Sequence, residues 1–183
     1  MDVLSERVWS VMTSLSKHFL GYLALFASAL LPCHTVKAQS ATIEVTTEKG
    51  STPVYEPGDV MQVQVRVVND TNLYCFYRQA DGQVFRIFPN RYASNPRVSG
   101  GLQLQIPDSS MGFRFRFSTP LSLEAVRCYS SPSNLLQRLP EQIAALELSP
   151  LPGTSLADIE NYLTNNPGEG FSSASVVIAV SGR

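Results

Sequence analysis

Apolar and polar residues alternate through the middle of the chain with the period of two that a half-buried β-strand requires. The clearest case is MQVQVRVV: Val63, Val65 and Val67 share one face, while Gln62, Gln64 and Arg66 share the other. It follows Tyr55-Glu56-Pro57-Gly58-Asp59, a tight turn in which proline pre-sets φ and glycine accepts φ > 0. After the polar break at residues 69–72, Leu73-Tyr74-Cys75-Phe76-Tyr77 is apolar on both faces, which places this strand centrally. Ala80-Asp81-Gly82 is a hairpin signal of the Asp-Gly kind. Residues 84–88 then form a third strand, ended by Pro89, which cannot donate to a ladder.

The pattern continues on both sides of this stretch. Residues 41–47 read as a first strand, with Ile43 and Val45 on one face. Residues 90–101 are rich in turn formers. Residues 101–106 alternate again, Phe113-Arg114-Phe115-Arg116-Phe117 is sharply amphipathic, and residues 122–130 form another strand with Val126 and Cys128 on one side. Turn signals recur roughly every 8–15 residues, as in an antiparallel sandwich or barrel. After Ser131 the period changes. Residues 140–146 read as a short helix with Pro140 in its first turn. Ser155 can cap a second helix whose Leu156, Ile159, Tyr162 and Leu163 fall on one stripe, stopped at residues 165–168. Residues 172–181 form a last strand, expected to return to the sheet beside the first. The fold expected is mostly β: an antiparallel β-sandwich or partly open barrel of about eight strands, with two short α-helices inserted before the last strand.

The first 38 residues stand apart. Residues 19–31 are an uncharged apolar run after Lys17-His18, shorter than the ~20 residues that span a bilayer. Val36-Lys37-Ala38 offers small residues at the −3 and −1 positions of a cleavage site. This is the pattern of a secretory signal peptide cut between Ala38 and Gln39, which sends the product to the periplasm or outside the cell with no transmembrane anchor. A lipid-modified Cys33 is the weaker alternative, because Pro32 fits a lipid-attachment box poorly. Met12 is an alternative start. Residues 39–183 then form a single β-rich domain with a core at 55–131, a helical appendage at 132–168 and the final strand.

Cleavage changes the chemistry available. His18 and His34 both lie in the leader, so the processed chain has no histidine. It carries 11 Lys and Arg against 13 Asp and Glu, a net charge of −2, with no basic footprint for nucleic acid. Cys75 and Cys128 remain. An oxidising compartment favours joining them in a disulfide, with two unpaired core cysteines as the alternative.

Several motifs together resemble a known family. Y-E-P-G-D at 55–59, A-D-G at 80–82, I-F-P-N-R-Y at 87–92, N-P-R-V-S-G-G at 95–101 and L-Q-I-P at 104–107 look like the bacterial domain of unknown function 4384, over about residues 55–131. The resemblance implies a cell-envelope or secreted protein, in a family often fused to signalling or protease-like domains or encoded near secretion machinery. It implies no catalytic residues.

Candidate chemistry is sparse. Asp59, Asp81 and Asp108 could make a carboxylate pair for glycoside chemistry, but all three stand beside Pro or Gly in turns, where Asp serves the backbone. Ser51 near Lys49 lacks the flanking motif of a serine–lysine dyad. No histidine and only two cysteines argue against zinc. No phosphate-cradling glycine loop occurs, so no cofactor is expected. Arg114 and Arg116 share a strand face, with Arg86 and Arg78 on other strands, and could form a patch for an anionic partner. Tyr55, Phe88 and Tyr92 could line a peptide or sugar groove, or plug the ends of a sandwich. The function expected is therefore a non-enzymatic interaction module, an accessory or assembly factor of a cell-envelope or secretion complex, whose partner is another envelope protein. A carbohydrate- or peptidoglycan-binding module is the alternative, and a small hydrolase a distant third.

Overall fold

A computed structural model describes residues 43–165, 167–168 and 170–182. The expected leader and its cleavage site lie outside the described residues.

The described chain is mostly β and sandwich-like, with no closed barrel. Its strands are β1 (Ile43–Thr47), β2 (Val54–Tyr55), β3 (Val60–Met61), β4 (Val63–Val67), β5 (Thr71–Arg78), β6 (Val84–Phe88), β7 (Arg97–Val98), β8 (Gln103–Ile106), β9 (Phe115–Arg116), β10 (Ser122–Ser131) and β11 (Ser172–Val180). Two helices, α1 (Glu141–Ala144) and α2 (Leu156–Thr164), and a 3-10 turn (Leu135–Arg138) lie between β10 and β11. One sheet has the order β1-β4-β8; the larger has the order β2-β11-β10-β5-β6, with β7 also on β5; β3 and β9 form a two-stranded ribbon.

Burial follows the alternation. Val63, Val65 and Val67 of β4 face inward with Ile43 and Val45 of β1, and meet Leu73, Cys75, Val126, Cys128, Val176 and Ile178 of the larger sheet. β5 is buried on both faces, as its continuous apolar run requires. Its other face, with Tyr74 and Phe76, joins Val84 and Tyr129 against Leu135, Leu139, Ile143, Ile159 and Leu163 of the helical segment. The larger sheet is thus the middle of three layers. Cys75 and Cys128 are directly opposite in the β5–β10 ladder and joined by a disulfide.

Turn chemistry sets the strand ends. Gly58 and Gly82 hold φ of 97° and 87°, where only glycine sits without strain. Asp59 closes its turn by accepting from the Glu56 amide, and Asp81 accepts from the Gln83 amide. Ser155 caps α2 and exchanges hydrogen bonds with Asp158 in a capping box.

Two expectations change. β11 does not lie beside β1 within a sheet; it pairs with β10 and, through Ala179 and Val180, with β2. β1 instead packs over β11 from the facing sheet, because the apolar faces of both strands meet across the core. Residues 113–117 do not form one strand either. Only Phe115–Arg116 pairs as a strand, with β3. Phe117 exchanges backbone hydrogen bonds with Asp59 and Gly58, and before the strand the Arg114 guanidinium donates to the carbonyls of Met111 and Phe113.

The two edges of the larger sheet differ. At β6 the edge is occupied by the segment after α1: Leu148 N–H donates to Arg86 O and Leu151 N–H to Val84 O. At β11, among the described residues, only the last two have a strand neighbour on that side, β2.

Candidate functional site

The five residues expected to form a partner surface do not converge. Tyr55 is fully buried. Its ring packs 4.5 Å from that of Phe117, its hydroxyl donates to Glu48 at 2.7 Å, and Lys49 Nζ lies 4.2 Å over its face. Burial raises its pKa far above the ordinary tyrosine value. Phe88 is buried too, so both aromatics plug the sandwich rather than line a groove. Arg86 is also buried. The regular register from the hairpin sets it opposite Phe76, on the same face as Val84 and so towards the helical layer, with the β6 bulge coming only after it. There Nε donates to Leu146 O, Nη1 to Pro89 O and Nη2 to Ala144 O. It ties β6 to α1 and is not part of a surface patch. Burial lowers its pKa, with Glu147 opposing.

Tyr92 is exposed and lies over Gly112, where a Cβ would come within 2.8 Å of its hydroxyl. Arg116 donates to Gly58 O at 2.8 Å. Arg114 is exposed and lines two cavities. It lines a groove of about 440 Å³ with Glu48, Gln62, Gln105, Asp108 and Ser109, and a smaller cleft of about 180 Å³ with Tyr77, Phe85, Phe113, Phe115 and Leu148. The groove is built around fixed groups. Glu48 accepts from Tyr55 Oη and from the Gln62 amide, and Gln62 Nε2 donates to Pro107 O. Asp108 accepts from the Ser110 amide and hydroxyl and the Met111 amide, which hold its carboxyl below the usual carboxylate range. Donors and acceptors of both charges thus line one cavity, a setting for a polar ligand. Among the described residues no cluster of His, Cys, Asp or Glu is placed to hold a metal ion.

A second surface escaped the sequence reading. Val54, Leu121, Leu123 and Val177 are large, apolar and between 55% and 85% exposed. Leu123 pairs with Ala179, Ala179 pairs with Val54, and Val177 is two residues along the same face. Leu121 holds φ of 51°, in the left-handed region that bulky residues avoid, beside Gly182. Val54, Leu123 and Val177 lie on the helix-side face of the larger sheet, beyond the end that α2 covers through the Arg127–Glu160 ion pair, and Leu121 precedes β10 at that end. The signal in the sequence was the odd-numbered register of β10 and β11, apolar at Leu123 and Val177 where a solvated face would be polar.

One buried acid was also missed. Glu124 sits on the core-facing side of β10 with Val126 and Cys128, accepts a short hydrogen bond from Tyr77 Oη, and is bonded by the Ala80 amide. Burial pushes its pKa up to about 7.

No helix among the described residues is long and apolar enough to cross a membrane. No curated protein and no solved structure matches the chain. Residues 54–134 match the model of the family described as Domain of unknown function (DUF4384), a span that runs from β2 past the end of β10 and leaves out β1, both helices and β11; over that span the chain resembles this family.

Proposed function

We propose that this chain is an exported, non-enzymatic interaction module, an accessory or assembly factor of a bacterial cell-envelope or secretion complex. The observation that carries this reading is the exposed apolar surface of Val54, Leu121, Leu123 and Val177 on a scaffold braced by a disulfide. An exposed cluster of large apolar residues on one face of a sheet is the signature of a protein contact. The leader-like first 38 residues and the disulfide both suit an exported protein. The test places a photo-crosslinking residue at Leu123 in cells that make the full chain. An adduct with a specific envelope protein, lost in Leu121→Lys, supports the reading. A processed, folded protein that gives no adduct with any envelope component counts against it.

A second reading, a carbohydrate- or peptidoglycan-binding module, is favoured by the groove that Arg114 shares with Glu48 and Asp108. Retention on purified sacculi that Arg114→Ala abolishes would establish it in place of the first.

A further inference from the structure

We propose that the outer edge of β11 is a self-association site, where two copies of this chain join their larger sheets through antiparallel β11–β11 pairing centred on Ser175. This goes beyond the proposed function and names a partner, a second copy, that the envelope reading does not require.

The phase of the ladder identifies the groups available. Ala179 N–H donates to Pro53 O and Ser181 N–H to Tyr55 O, both away from β10. In an antiparallel ladder, successive residues bond to alternate sides. The amides and carbonyls of Ser173, Ser175 and Val177 therefore point to the same outer side, and among the described residues no strand pairs there. All three residues are exposed.

Natural sheets guard such an edge with lysine, proline, a bulge or a covering segment. The opposite edge of this sheet, at β6, has its covering segment. From Ser173 to Val177 the β11 edge lacks these devices among the described residues: SSASVVIAV contains neither a charge nor a proline, its register with β10 runs without interruption, and β2 covers only Ala179 and Val180.

The register also selects the occupant. A two-fold axis through Ser175, perpendicular to the sheet, sets Ser173 against Val177 of the second copy and Ser175 against Ser175. All the outward-facing residues then meet outward-facing residues, giving about six new backbone hydrogen bonds. The axis keeps the faces matched, as an isologous contact requires: Val176 meets Ala174 on the core side, and the helical layers stay together on the other. With no charge along the strand, a second copy meets no like-charge repulsion, so the edge fits itself without any further partner.

The test is the mass of the processed full chain in solution by light scattering, at ~50 µM. The wild type is expected to be dimeric. Ser175→Lys and Ser175→Glu each set like charges against each other across the axis and should weaken dimerisation by ~tenfold or more, whereas an equal mixture of the two should restore it as a mixed dimer. Both substitutions are at an exposed position, and circular dichroism checks that each variant remains folded. Ser175→Cys should form a covalent dimer on oxidation. A monomeric wild type overturns the proposal. So does a dimer indifferent to Ser175→Lys, or a Ser175→Cys that captures only a different protein. Each of these outcomes leaves the Leu123 crosslinking result to stand or fall separately.

Discussion

Cys75 and Cys128 face each other directly across β5 and β10, with Cα atoms 4.1 Å apart. The ladder phase explains the closeness. Odd residues of β11 bond outward, so its even residues bond to β10, and the even residues of β10 bond back. Cys128 thus turns its backbone away from β5 and makes a non-hydrogen-bonded pair with Cys75, the kind in which opposed side chains approach most closely. The bridge locks together the two central strands of the middle layer.

Removing it should destabilise the domain strongly. The bridge closes a loop across a separation of 53 residues, worth roughly 4 kcal/mol in the chain-entropy model. Cys75→Ala with Cys128→Ala should lower the urea midpoint accordingly, and reduced wild type should behave alike. Under denaturing, non-reducing conditions neither thiol should label.

Arg86 should be as sensitive as an apolar core residue. Arg86→Met removes the donors to Leu146, Pro89 and Ala144 carbonyls and should destabilise by ~3 kcal/mol. Arg86→Lys should recover only part of this, because one ammonium cannot span three divergent acceptors. Denaturant titration of the three proteins decides it.

Glu124 should make the domain less stable as pH rises. Its pKa is raised from 4.5 to about 7 in the folded chain, so between those values the folded state binds more protons than the unfolded state. Stability is full below pH ~4.5, falls through the window up to ~7, and stays lower above it, by up to ~3 kcal/mol. Glu124→Gln should flatten this profile and exceed wild type in stability at pH 8, measured as unfolding free energy against pH.

The processed protein should begin at Gln39. N-terminal sequencing of material recovered from the periplasm or medium checks this, and a retained leader or a lipid-modified Cys33 would contradict it.

Much of the fold was legible because its local signals agree. The double-sided apolar run of β5, the Pro57-Gly58 and Asp81-Gly82 turns and the Ser155 cap each have one inexpensive local solution, and the structure adopts it. The position of β11 was not legible, since alternation tells which face of a strand is dry but not which strand lies beside it. Arg86 misled for a different reason. In V-F-R-I-F a buried, fully bonded guanidinium and a solvated one look alike, and although alternation puts Arg86 on the face of Val84, nothing local tells that the helical segment covers that face. Glu124 could have been found, because it shares the register of Val126 and Cys128, where an acid is out of place. Arg114 and Arg116 read as one row; the structure sets Arg114 in the groove and bonds Arg116 to Gly58 O.

The contrast between the two ends of the larger sheet has a consequence for how far assembly can run. At β6 the segment carrying Leu148 and Leu151 already takes the place of a further strand beside Val84 and Arg86, so that end of the sheet is closed to a second copy there. A two-fold contact on β11 uses the same stretch of both molecules and closes on itself. Association through it therefore gives a closed pair, and a longer array would need a different edge, such as the outer side of β2.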